Sequence, residues 1–476
     1  LFAVVTGFDF TAFFWLMVIA TMVAMIGRYI RVPYALALVI TGLIIAPTGI
    51  LPQIHLEPQI LFTIFLPPLL FESAINMRIS LLRMNWRSVS IYALLGTTVS
   101  ALVTGYLAHR FLGLPLEVGL VFGALIAPTD PISVIAIFKQ LGVGKRLSLI
   151  MEAESLFNDG VAIVLFTLLV AAASGGDLSV ITGVKTFFTV VIGGAALGAG
   201  IGIVASRLTR EFNDHLLEIM LTTIVAFASY LLAEWFHVSG VIAVVSAGLV
   251  VGSYGMQTGM SATTRLSVNS FWEYAAFLVN SIVFLLVGFE VSLINFFPKI
   301  GIILSGALVV LIGRAISIYG LSPLINRLGG NIPLSWQHVL FWGGLRGAIP
   351  MALVLGLGKD FPNRSDLVLL TFGVVLFSLL AQGLSIRPLL KKLSLTGVKN
   401  PQSEHGRLAS EIMAIEAAQK ELLRLKDRKA LSVSGYEKIS AEYNKRLADL
   451  EYSLNLLNEK DDQLNQTQEN EAWRMA

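Results

Sequence analysis

Asp159 interrupts an otherwise apolar run, four residues after Ser155, and Glu154 and Asn158 share the adjoining stripe at the same spacing. A four-residue interval puts both members of each pair on one helical face. One helix therefore offers two carboxylates, an amide and a hydroxyl. Oxygen donors of this kind suit hard cations rather than soft metals. Two further interruptions fall in apolar surroundings. Ala127-Pro128-Thr129-Asp130-Pro131 places an acid between two prolines, which remove amide donors and unwind a helix. Gly343-Gly344-Leu345-Arg346-Gly347-Ala348-Ile349-Pro350 places a guanidinium among helix-breaking residues.

An ionisable group deep in a bilayer costs about 2.5–3.5 kcal/mol on insertion scales, so such groups usually mark a pathway for ions or substrate. Unwound backbone at that depth is tolerated only where it lines protein or water. Asp130 then sits between half-helix ends whose partial charges can address an ion. A lone membrane Asp also serves as a packing group with a buried partner, but Asp130 and Asp159 together favour a site. For Glu154 and Arg346 the structural reading is preferred, as a buried ion pair that holds helices in register. Glu72, Glu152, Glu290 and Arg314 are assigned nearer span ends, where interfacial solvation serves as well as function. His55, His109, His215, His237 and His338 fall near span ends or in loops, and interface placement is preferred to pH sensing.

These groups must be carried by membrane helices. Hydrophobic residues make up 55% of the 476, charged residues only 14%, and mean hydropathy is +0.76; a soluble chain carries roughly 25% charged residues. A run of about 20 apolar residues spans the hydrocarbon as a helix. Spans are expected near 10–27, 34–48, 59–76, 88–109, 115–138, 147–173, 183–206, 214–236, 239–253, 271–294, 298–323, 335–357 and 366–390. That gives about thirteen, of which the second and ninth are short. The interrupted fifth and twelfth spans occupy matching places in two sets of six, with the seventh as connector. This predicts an all-α polytopic protein with inverted six-helix repeats whose broken helices cross at the ion site.

Basic residues alternate in the connecting segments. One set holds Arg28, Arg31, Arg78, Arg83, Arg87, Lys139, Lys145, Arg146, Arg207, Arg210, Arg265, Arg327, Arg387, Lys391 and Lys392. The other holds only Arg110, Lys185, Lys299, Lys359 and Arg364. The positive-inside rule puts the N-terminus outside and the C-terminal segment in the cytoplasm. The expected division is a membrane part, 1–392, and a cytoplasmic helical tail, 393–476. In the tail, apolar residues recur at three and four before and after Ser432-Val433-Ser434-Gly435, which predicts a helical hairpin. The hairpin serves equally as a dimerisation or regulatory element or as two amphipathic helices on a neighbouring surface. The stretch after Lys460 is polar and expected to be disordered. The chain opens on Leu1, without an initiator Met or a preceding basic stretch, which is compatible with a trimmed N-terminus.

A net charge of +3 gives no reason to expect a nucleic-acid partner. With no cysteine, disulfides, thiolate catalysis and zinc–thiolate sites are excluded. An intramembrane aspartyl protease would also hold two membrane aspartates around one water, but Tyr-Asp and Gly-x-Gly-Asp contexts are absent around Asp130 and Asp159. A passive cation channel is the other competing reading.

Pro128-Thr129-Asp130-Pro131, Glu154-Ser155-Leu156-Phe157-Asn158-Asp159 and Gly344-Leu345-Arg346-Gly347 together resemble the electroneutral sodium/proton exchangers of the monovalent cation:proton antiporter superfamily. Phe65-Leu66-Pro67-Pro68-Leu69-Leu70-Phe71-Glu72 adds to the likeness, which covers roughly residues 10–390 and leaves out the tail. The resemblance implies a homodimer, each protomer with a dimerisation domain and a six-helix core domain. It implies that Asp159 takes either a cation or a proton, with Asp130, Thr129 and Ser155 completing the ion site and Asn158 in the same constellation. It matches Glu154 and Arg346 to a structural ion pair between core helices. The electrogenic branch carries a second Asp where this chain has Asn158, and a Lys in the tenth span, where 271–294 has neither Lys nor Arg. One-for-one electroneutral exchange follows, with sodium preferred to potassium or lithium. The transported ions are then the only non-protein species required, with no cofactor and no enzymatic activity. A plasma-membrane location and roles in pH homeostasis and salt tolerance are the corresponding expectations.

Overall fold

The computed structural model describes residues 10–27, 34–48, 58–175, 180–209, 211, 214–290, 297–396, 411–412, 415–416, 418–424, 426 and 435–452. Expectations for Arg28, Arg31, Arg210, the turn at 432–434 and the stretch after Lys460 lie outside the described residues. The chain divides into two compact units, Leu1–Leu395 and Thr396–Ala476.

Helices are the regular secondary structure of the first unit's described residues. In chain order these are α1 (Phe10–Gly27), α2 (Tyr34–Thr48), α3 (Leu61–Asn76), α4 (Ile79–Leu112), α5 (Leu116–Leu125), α6 (Ile132–Leu141), α7 (Lys145–Ala173) and α8 (Val180–Leu208). There follow α9 (His215–Trp235), α10 (Gly240–Thr258), α11 (Ala262–Glu290), α12 (Ile300–Arg327), α13 (Leu334–Trp342), α14 (Ala348–Leu355) and α15 (Arg364–Lys392). Eight of them (α4 and α7–α12, with α15) are long and apolar enough to cross a bilayer. The ninth expected span, drawn short, runs to Thr258, because a π-helical turn at Val251–Gly255 carries the helix on past Val250. The fifth and twelfth expected spans are each two half-helices, α5 with α6 and α13 with α14.

Packing follows small residues. Gly194, Gly198 and Gly202 form a stripe on α8 that presses on Ser239, Ala243 and Ala247 at and along α10, where any added Cβ would meet backbone or Cβ-level atoms. In lipid, where no hydrophobic gain separates helix contact from lipid contact, such close backbone approach supplies the packing energy. Phe71 of α3 packs on Trp272 of α11 with ring centroids 4.7 Å apart. The π-helical turn at Leu61–Phe65 precedes Pro67-Pro68, whose missing amide donors disturb the regular ladder there.

Three of the basic segments meet at one end of the bundle. Arg146 Nε donates to Asn85 Oδ1 at 2.8 Å, its Nη2 donates to Gly330 O, and Arg87 donates to Leu328 O at 3.2 Å. In the second unit, 435–452 is helical and faces an earlier helical stretch. Gln419 Nε2 donates to Asn444 Oδ1 at 2.7 Å, and Lys426 Nζ lies 4.2 Å from the centre of the Tyr436 ring. The pairing of 419 with 444 and of 426 with 436 is antiparallel.

Candidate functional site

Two breaks in helices, one beside the other, build the site. Between α5 and α6 the chain from Ala127 to Pro131 leaves the helix, and between α13 and α14 it does so from Gly344 to Gly347. The backbone joins them directly, Asp130 N donating to Leu345 O at 2.7 Å. Gly347 makes this approach feasible, since a Cβ there would lie 2.6 Å from Asp130 Cβ. Gly347→Ala should therefore push the two segments apart. Overpacking of this kind costs about 1–3 kcal/mol, and the expected result is a lowered melting temperature in detergent together with weakened transport.

Each broken end carries the charge its dipole calls for. Arg346 Nη1 donates to Ala127 O at 2.6 Å and to Pro128 O at 3.2 Å, at the carbonyl-rich C-terminal end of α5. Asp130 Oδ1 accepts from Ile132 N at 2.9 Å, at the N-terminal end of α6. The amide of Arg346 is itself satisfied by Ser378 Oγ at 3.0 Å, a side chain set by the π-helical turn Ser378–Gln382 of α15.

Helix α7 runs unbroken past the first of these segments and holds it through its polar stripe. Ser155 Oγ donates to Thr129 O. Asn158 Nδ2 donates to Thr129 Oγ1 at 2.8 Å and to Glu154 Oε1 at 3.2 Å, and its Oδ1 accepts from Thr129 N at 3.4 Å. The amide thus serves a donor and an acceptor role at once, which a carboxylate at 158 could not do.

The ion pair is formed with a different arginine from the one expected. Glu154 is gripped by Arg314, Nη1 to Oε1 at 2.7 Å and Nη2 to Oε2 at 2.9 Å, and Nη2 also donates to Leu340 O at 3.0 Å. Arg346 is directed to the α5 carbonyls instead, because the unwound backbone of 343–347 holds it beside that helix end. Arg314 is likewise not a span-end residue. It lies at the middle of the 28-residue α12, 4% exposed, and a bidentate fork to a carboxylate meets the cost of that burial.

Among these carboxylates Asp159 stands apart. It is 8% exposed, and its Oδ1 has no hydrogen-bond partner. It faces a cavity of about 70 Å³, shared with Thr129, Asp130, Ser155, Gly347 and Asn280 of α11, and bordered by Leu66, Leu69 and Leu70 of α3. That space exceeds the volume one water needs. Of the residues expected at the ion site, Asp159, Asp130, Ser155 and Thr129 all line this cavity, while Asn158 sits behind it as a brace. Pro128 and Pro131 also border it, and Gly344 lies instead against the Arg314 guanidinium. Sequence reasoning missed Arg314, Ser378 and Asn280. Arg314 was detectable as the midpoint of a long apolar run, whereas a single Ser or Asn in a span carries no such signal.

Comparisons with known proteins bear on the same region. Residues 16–392 match the family described as sodium/hydrogen exchanger, transmembrane. The chain is 38% identical to the Na(+)/H(+) antiporter NhaG of Bacillus atrophaeus, over 93% of this chain and 86% of that protein. It is 42% identical to the Na(+)/H(+) antiporter ApNhaP of Aphanothece halophytica, over 84% of this chain and 77% of that protein. Its fold resembles the sodium proton antiporter MjNhaP1 of Methanocaldococcus jannaschii, with a TM-score of 0.67 and 22% identity, covering 80% of this chain and 97% of that one. An all-helical integral membrane protein with paired helix breaks, this chain belongs to the sodium/hydrogen exchanger family.

Proposed function

We propose that the protein is a secondary antiporter that exchanges one sodium ion for one proton across the membrane, with both ions competing for Asp159. The observation that carries this reading is the unpartnered Asp159 oxygen in a cavity lined by oxygen donors. The charge balance adds to it. Among the charged groups of the two breaks and the buried pair beside them, with the partly exposed Glu152 counted apart, Asp130, Asp159 and Glu154 stand against Arg314 and Arg346, so three carboxylates against two guanidinium groups leave one negative charge. One proton or one monovalent cation neutralises it, and moving an uncompensated charge through the bilayer is costly. If the site crosses only when neutral, obligatory one-for-one exchange follows.

Thr129, Asp130 and Ser155 are the groups placed to help Asp159 replace a cation's hydration shell. The preference for sodium rests on the family and on the relatives' names; selectivity over potassium or lithium depends on fine cavity geometry. Under the same reading the protein is not an enzyme and needs no cofactor. It forms a homodimer in the plasma membrane, built from inverted repeats of about thirteen spans. The N-terminus lies outside and the tail in the cytoplasm, as the basic segments gathered at one end of the bundle support. Contributions to pH homeostasis and salt tolerance follow from the exchange.

The test is proton movement in proteoliposomes with a trapped pH dye and an imposed sodium gradient. Exchange should persist with the membrane potential clamped at zero. Competition for one carboxylate fixes the sign of the pH effect: lowering pH on the cation-binding side should raise the sodium KM while leaving the rate at saturating sodium little changed. Sodium entry without proton counterflow would favour a channel, and response to potassium alone would change the ion assignment.

A further inference from the structure

The face of α7 that carries Ser155 and Asp159 does not end there. Glu152 lies three residues before Ser155 and seven before Asp159, which keeps it on the same helical stripe, about 10 Å along the axis from Asp159. It lines the Asp159 cavity. It also lines a second cavity, of about 360 Å³, bounded by Asn76, Arg78, Lys139, Lys145 and Ser148. Of the residues bordering these two cavities, Glu152 is the one common to both. The second cavity opens among the basic segments that the positive-inside rule assigns to the cytoplasm.

We propose that Glu152 is a cation-relay residue, a transient binding point through which a monovalent cation passes between the cytoplasmic cavity and Asp159. The proposal rests on the exchanger reading above and deepens it by naming the entry route. Arg78, Lys139 and Lys145 line the outer cavity and would repel an entering cation, so a carboxylate at its inner end is needed to draw the ion past them. Glu72 and Lys139 both lie near enough to act on Glu152 electrostatically, and Glu72 reinforces its negative field. Glu152 keeps partial exposure, unlike Glu154, which is sealed in its pair with Arg314. A group that must take up and release a cation requires that access.

The experiment compares E152Q, E152D and wild type in everted and right-side-out membrane vesicles from cells without other exchangers, with sodium as the varied ion. Glu152→Gln should raise the sodium KM on the cytoplasmic face about fivefold, the scale of one charge acting across this distance in a partly aqueous path. The opposite face should change less, and E152D should restore most of the affinity. The difference between E152Q and wild type should also narrow as choline chloride is added, since screening weakens an electrostatic contribution. An equal KM on both faces for wild type and E152Q overturns the proposal. So does a loss that is the same from both faces and insensitive to choline chloride, which would make Glu152 a structural residue. If wild-type vesicles fail to exchange sodium for protons, the exchanger reading falls first, before any variant is compared.

Discussion

Asp159→Asn should reduce sodium-driven proton movement to the rate of protein-free liposomes while the purified protein keeps its wild-type elution and melting behaviour. The substitution is nearly isosteric and removes the single negative charge left after Asp130, Glu154, Arg314 and Arg346 are balanced. The variant's site is permanently neutral, so it neither takes a proton nor gains from a cation. Folding should survive, because Asp159 Oδ1 holds no hydrogen bond that the amide would break, and burying an amide is cheaper than burying a charge. Residual exchange above the liposome background would show that another carboxylate, with Asp130 the nearest candidate along the cavity wall, takes the ion. A variant that fails to purify would point instead to a structural role.

Much of this arrangement is visible in the order of residues, because membrane helices have so few ways to satisfy backbone groups. Prolines at 128 and 131 and glycines around Arg346 announce breaks, and the structure places both where the sequence does. Asp159, Ser155 and Asn158 follow from four-residue spacing. Partner choice is a different matter. Periodicity fixes which face Glu154 occupies on its own helix, but it does not rank Arg314 against Arg346 as the group that reaches it. That depends on how α12 and the unwound 343–347 segment lie across α7. Placing Arg314 at a span end overlooked its position well inside a long apolar run, which the sequence does display. The π-helical turn that presents Ser378 has no compositional mark at all. Glu152 reads from the sequence only as an acid near a span end, and the two cavities show what lies on either side of it.

The pair that sequence reasoning mismatched yields the largest expected effect on stability. Glu154→Ala leaves the Arg314 guanidinium buried with Leu340 O as its remaining hydrogen-bond acceptor, and it removes one of the two acceptors of Asn158 Nδ2, leaving Thr129 Oγ1. Breaking a buried pair from one side costs about 3–5 kcal/mol. A large fall in melting temperature in detergent and a low yield of folded protein are the expected outcomes. Arg314→Ala should be comparably damaging, since it strands the carboxylate. If the two residues act as one unit, the double variant E154A/R314A should be less destabilised than the sum of the single changes. Arg346→Ala provides the contrast. It strands no carboxylate, only the Ala127 and Pro128 carbonyls at the end of α5, so its effect combined with Glu154→Ala should be close to additive. A double-mutant cycle measured by thermal unfolding reads this directly: strong coupling between 154 and 314 with weak coupling between 154 and 346. The reverse pattern would restore Arg346 as the partner and place Arg314 elsewhere in the transport cycle.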